Sequence, residues 1–356
     1  MLFLDLNSTD IQEALDNHVR HAVCIILKRS GSTVKCVNDK CWICNSKKLK
    51  EIKDCSKVKK AFKTLDSIKS LLIAQPHEML KLEKEVYKIV FEEFNSVKIE
   101  GILKDDLSGL DSSEKDIHKN RIDQIKEIFD YENWFVGLEP HREYSAYHLS
   151  SALKVRSCVY CNRTYTVTQT TVEGDNGKTK KLTRPQFDHW FPKEKHPLLA
   201  LSFYNLIPSC SICNSSIKGR IPFDIDTHIH PYVDNVISLI SFNYEPWSMI
   251  DDLKVTLSVN CEDEILRKRI ERTLEDFHIG DLYNAHLSEL KDLLKTKQAY
   301  SENYLSNLKN FFNTSVLTDD DIYRLAFGTE LKEENFHNRP FSKFKYDLLK
   351  ELEIIK

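Results

Sequence analysis

Four cysteines in two tight pairs, Cys158-x-x-Cys161 in SCVYCN and Cys210-x-x-Cys213 in SCSICN, supply the thiolates that a tetrahedral zinc ion accepts. Between them, in RPQFDHWFPKEKHPLLALSFYNLIPSCSICNSSIKG, stands Asp188-His189 flanked by Phe187 and Trp190, with Asn205 and Asn214 further on. An imidazole that titrates near neutrality suits a general base. Carboxylate and amide oxygens, from Asp188 and Asn214, suit one Mg²⁺ ion, a hard cation that keeps several waters. Taken singly, each piece has a plainer reading: a lone C-x-x-C is a pair of buried cysteines, and a lone DH pair is a hydrogen-bonded histidine among aromatics. Two pairs flanking one polar constellation favour metal, because small modules often need an ion to hold together. A redox role lacks the βαβ context that such a motif requires.

These residues need elements to hold them. TYTVTQTTV, 164 to 172, is rich in Thr and Val, EGDNG is a turn cluster, and KTKKLTRPQFDHW returns as a second strand, so a β-hairpin is expected. Neighbours in a strand face opposite ways, so Asp188 and His189 diverge unless the strand twists or ends there. On either side the texture is helical, with amphipathic spacing over 9–28, 57–74, 76–99 and from 114 on, then over 262–277, 281–312 and FSKFKYDLLKELEII. The fold class is therefore α+β, with a mainly helical region over 1–150, a small module over 151–235 and a helical region over 236–356.

With 41% hydrophobic and 29% charged residues in 356, the chain reads as an ordinary soluble protein. No eighteen apolar residues run together and no signal segment is visible, so a cytoplasmic protein without a membrane span is expected. Ten cysteines in a reducing compartment then argue for metal over disulfides. The net charge of −3 hides two basic blocks. Residues 152–220 carry eleven Lys or Arg against four acids, and 35–63 carry ten Lys against three. The second block holds Cys36, Cys41, Cys44 and Cys55, four thiols that can close a second Cys₄ zinc site and present lysines 47 to 63 toward phosphate. Cys24 and Cys261 read as core residues.

The combined string C-x-x-C, DH-x-x-P-K, N-L-I-P-x-C-x-x-C-N and K-G, spanning 158–219, resembles the HNH endonucleases, the ββα-metal nucleases, in their zinc-knuckle form. The resemblance implies a ββα-metal module with structural Zn²⁺, His189 as general base, and Asp188 and Asn214 on a catalytic Mg²⁺ or another divalent ion. It implies that Asn205 fixes the loop that orients the base. Lys218, Lys193 and Arg163 are then the nucleic-acid contacts. The family's final letter is commonly His, and the Asn at 214, which many members share, leaves metal preference open. HIHPY at 228–232 and RPFSKFKYDLL at 339–349 resemble the downstream pattern of a bacterial subgroup found beside ATPases in anti-phage systems such as Septu and some retrons. That wider likeness implies an ATPase partner.

Three functions remain open from the sequence. One is a metal-dependent DNA endonuclease, with RNA not excluded because backbone chemistry is shared. The second is a non-catalytic zinc-stabilised nucleic-acid binder. The third is an interaction subunit whose helices dock an ATPase. Asp188, His189, Asn205 and Asn214 together favour the first, since binding alone needs no such set. His230, soon after the module, is a further imidazole that could reach metal or phosphate.

Overall fold

A computed structural model describes residues 1–32, 36, 41–47, 49–53, 55–62, 64–137, 144–173, 178–219, 221–245, 253–299, 307 and 317–355. The expected turn at 174–177, Arg220 and most of 300–316 lie outside the described residues.

The chain opens with α1, Thr9–Ser30, which closes at Gly31 in the left-handed region (φ 60°) that glycine adopts without strain. Its buried face meets α3 (Leu65–Ile73), α6 (Ser112–Phe129) and α7 (Ala146–Leu153). The expected helix over 57–74 is two, α2 (Ser56–Ala61) and α3, because Thr64 starts a new helix through a reciprocal cap with Ser67. The stretch 76–99 likewise divides into α4 (Pro76–Val90) and α5 (Ser96–Leu103), where Asn95 caps the second helix. A wide helical turn, Tyr131–Val136, then carries aromatic side chains toward the module.

The module differs from the expected single hairpin. β1 (Gln169–Glu173) pairs antiparallel with β2 (Lys178–Thr183), but QFDH forms its own strand, β3 (Gln186–His189). Pro185 has no N–H for a ladder, which separates β2 from β3. β3 pairs instead with β4 (Leu206–Ser209), placing Asp188 opposite Ile207 and His189 opposite Leu206. A wide helical turn, Ile212–Lys218, follows β4 and stops at Gly219 (φ 45°). Two short antiparallel strands and a helical turn therefore converge on the DH pair.

The region after 236 is not wholly helical. β5 (Ile240–Glu245) and β6 (Lys254–Val259) form a hairpin that lies under the C-terminal helix α8 (Ser342–Glu351). Phe242 and Phe344 meet edge to face at 5.3 Å. Helical segments Glu264–Asp276, Ile279–Asn284 and Leu287–Ala299 fill much of the remainder. The RPF segment closes back on the module, where the Asn162 side chain donates to the carbonyls of Phe336 (3.0 Å) and Arg339 (3.1 Å). Buried apolar residues form one cluster that runs from Leu2 to Leu352.

Candidate functional site

The sulfurs of Cys158, Cys161, Cys210 and Cys213 all lie within 4.8 Å of one another, and all four residues are buried. A tetrahedral Zn–S distance of about 2.3 Å spaces sulfurs by about 3.8 Å, and Cys161 and Cys210 stand 4.0 Å apart. The Cys213 N–H also points at the Cys210 sulfur, 3.5 Å away. Without a cation the four thiols conflict: the sulfhydryls of Cys158, Cys161 and Cys213 hold the Cys210 thiol far down, while burial pushes Cys158 up. A divalent ion removes that conflict, so the group can hold zinc. It would join the turn at 158–161 to the end of β4.

A second group forms, with one member exchanged. Cys24, Cys36, Cys41 and Cys44 come together, whereas Cys55 is buried apart from them and directs its sulfhydryl at the Ile52 carbonyl, 3.2 Å away. Helix α1 delivers Cys24 under the one-turn helix Trp42–Asn45, while Cys55 precedes α2. Cys24→Ser is therefore expected to remove one zinc per chain in elemental analysis, and Cys55→Ser to leave zinc unchanged. The lysine surface expected nearby is partly spent: Lys57 and Lys60 pair with Glu92. Lys35, Lys40, Lys48 and Lys63 lie outside the described residues.

Asp188 and His189 both line one cleft of ≈ 830 Å³, because β3 ends at His189 and the alternation of the strand stops with it. Asn214, at the start of the facing helical turn, lines the same cleft, with Arg184, Lys193 and Lys195 at its sides. The His189 ring lies edge-on to Tyr131, with centroids 4.4 Å apart. Its Nε2 is 3.0 Å from the Ala200 carbonyl. A carbonyl only accepts, so Nε2 carries the proton and Nδ1 keeps its lone pair. Burial pushes the imidazole pKa down to about 3, so the ring is neutral near pH 7.

Asn205 is fully buried and does not line the cleft. Its Oδ1 accepts from the Phe191 N–H (2.7 Å), and its Nδ2 donates to the carbonyls of Phe191 (3.1 Å) and Leu199 (3.0 Å). The loop leaving His189 is thus pinned two residues beyond it. Asn214 donates Nδ2 to Gln186 Oε1 (2.8 Å), which leaves its carbonyl oxygen for another partner.

The expected phosphate contacts are placed otherwise. Lys218 is 1% exposed and donates to Asp188 Oδ1 (3.1 Å) and the His189 carbonyl (2.8 Å), so its charge is spent inside. Arg163 meets His286 (2.8 Å), turned toward the C-terminal region. Lys193 does line the cleft, bridging Glu132 (3.0 Å) and Glu194 (2.9 Å). His230 is buried against Trp190, ring centroids 4.8 Å apart, and is not among the residues lining the cleft. His228 binds Asp276 (2.9 Å), and His196 binds the buried Glu83 (2.6 Å). Cys24 is buried but sits in the second thiol group, and Cys261 is only half-buried.

Two residues near the site were not anticipated. Tyr160, inside the first knuckle, donates its hydroxyl to Asp188 Oδ2 at 2.5 Å. No local pattern marks it. Gln186 stands two positions before Asp188, on the same face of β3, and that spacing was a readable signal.

Among the described residues, no helix is long and apolar enough to cross a membrane. No family model and no solved structure matches the chain. Over 150 residues, 40% of its length, it is 25% identical to Protein ea31 of Escherichia phage lambda. The match covers 48% of that protein, so the chain is similar to about half of it. That name states no activity.

Proposed function

We propose that the chain is a metal-dependent HNH endonuclease that hydrolyses DNA phosphodiester bonds, with β3, β4 and the following helical turn as its ββα module. The observation that carries this reading is the placement of His189, with Nε2 committed to the Ala200 carbonyl and Nδ1 left as an acceptor, in one cleft with Asp188 and Asn214. Nδ1 takes the proton of the attacking water, which requires the negative charge of a bound phosphate to raise its basicity from the low value that burial sets, well below the near-neutral titration expected from the sequence. Tyr131 and the Asn205-pinned loop hold the ring, so little reorganisation is needed when the proton moves. Arg184, Lys193 and Lys195 line the cleft, and a phosphate backbone lying there would compete with the acids that Lys193 (Glu132, Glu194) and Lys195 (Asp105) already meet. Asp188 and Asn214 would hold a Mg²⁺ ion, which supplies charge stabilisation for the departing oxygen. The donor set fits: each Asp188 oxygen has one partner and keeps a second lone pair, and the Asn214 amide oxygen is available.

The second reading is a zinc-stabilised nucleic-acid binder without catalysis. It is favoured by one observation, that Lys218 already balances the Asp188 charge. A role beside an ATPase in anti-phage defence rests on the sequence resemblance at 228–232 and 339–349. In the structure His228 and His230 of the first are buried, and the second packs on the module.

Incubating the zinc-loaded protein with supercoiled plasmid and Mg²⁺, alone and with a co-purifying ATPase, separates the readings. Nicked and linear products that require Mg²⁺ are expected. Plasmid that is retarded but uncut under every condition points to the binder, and cutting of RNA alone redirects the substrate.

A further inference from the structure

We infer that Lys218 is a built-in counter-cation of the metal site, which holds Asp188 before a divalent ion arrives and sets how tightly that ion binds. This rests on the reading of Asp188 as a metal ligand.

Asp188 is 3% exposed and Lys218 1%, so neither charge is stabilised by water. A carboxylate buried to that degree needs an opposite charge or several hydrogen-bond donors. Asp188 has both, Lys218 Nζ on Oδ1 at 3.1 Å and the Tyr160 hydroxyl on Oδ2 at 2.5 Å. The ammonium is equally well provided for. It donates to Asp188 and to the His189 carbonyl (2.8 Å), and it faces the Phe223 ring with its nitrogen 5.0 Å from the centroid.

A site whose carboxylate is already neutralised has little residual attraction for a second cation. A divalent ion placed on Asp188 meets the ammonium at short range in a setting that screens poorly. Lys218 therefore lowers metal affinity, and any ion that binds must share or take over its place on Asp188. The same ammonium holds the backbone of His189, so a shift of Lys218 is felt at the residue proposed as the base. Metal loading and alignment of the base are linked through one side chain, and the site stays quiet at low free metal.

The test uses the full-length, zinc-loaded protein and Mn²⁺ as the probe. Binding is followed by loss of the free-ion paramagnetic resonance signal, and folding by thermal melting. Lys218→Met removes the charge at similar volume and is expected to bind Mn²⁺ roughly tenfold or more tightly than wild type, the size of effect a like charge in contact exerts. It is also expected to melt lower without Mn²⁺ and to recover when Mn²⁺ is added. A merely structural lysine would not be replaced by an ion. Unchanged or weaker Mn²⁺ affinity, or a melting deficit that Mn²⁺ does not restore, including failure to fold with and without it, overturns the inference. Asp188→Asn identifies the other failure. If wild-type Mn²⁺ binding survives that substitution, the ion does not sit on Asp188, and both the metal reading and the inference fall.

Discussion

Cys213→Ser is expected to lower zinc by one equivalent per chain and to cost the protein about 4 kcal/mol or more, a fall of about 5 °C in Tm. The size of the effect follows from what the four thiols join. Cys158 and Cys161 lie in a turn with few regular partners of its own, while Cys210 directly follows β4 and Cys213 sits in the helical turn that also carries Asn214 and Lys218. A metal ion there fixes the helical turn against the strand pair, and removing one ligand frees it. The Tyr160 hydroxyl, held between the first two cysteines, would lose its fixed place on Asp188. Elemental analysis and differential scanning calorimetry on wild type and variant measure both expectations. Unchanged zinc content would show that the sulfurs are an ion-free cluster.

His189→Ala is expected to lower Mg²⁺-dependent DNA cleavage by about 10²–10⁴-fold, the usual worth of a positioned base. Folding should suffer less. The substitution removes one buried hydrogen bond and leaves the Ala200 carbonyl without its donor, a cost of about 1–3 kcal/mol. DNA binding should persist, because Arg184, Lys193 and Lys195 are untouched. The pattern of lost turnover with retained binding and zinc content is what distinguishes a base from a structural histidine. Parallel loss of all three would assign His189 to packing against Tyr131.

The parts of this site that were legible in the sequence are those whose spacing carries chemistry. Two C-x-x-C pairs read as a shared group because four sulfurs at knuckle spacing have few other uses, and the structure brings them within 4.8 Å. Burial was not legible. Lys218 looks like a surface lysine at a helix end, and only the convergence of β3 with the following helical turn shows it enclosed with Asp188. The exchange of Cys55 for Cys24 has the same origin: one side of α1 meets Cys36, Cys41 and Cys44, a contact that no local spacing encodes. β4 was hidden for another reason. LIPS is short, contains a proline and is buried at every position, so it lacks the alternation that marks a half-exposed strand. The β5–β6 pair is hard to read for a related reason: two six-residue strands stand beside long amphipathic stretches whose helical spacing dominates 236–356.

The proposed catalysis turns on Nδ1 of His189 accepting the proton of the attacking water. It is tested most directly by plasmid cleavage with His189→Gly, in Mg²⁺, with and without added imidazole. Cleavage near background is expected for the variant, with partial recovery on adding imidazole and no such stimulation of wild type. Wild-type rates from His189→Gly without imidazole would contradict it.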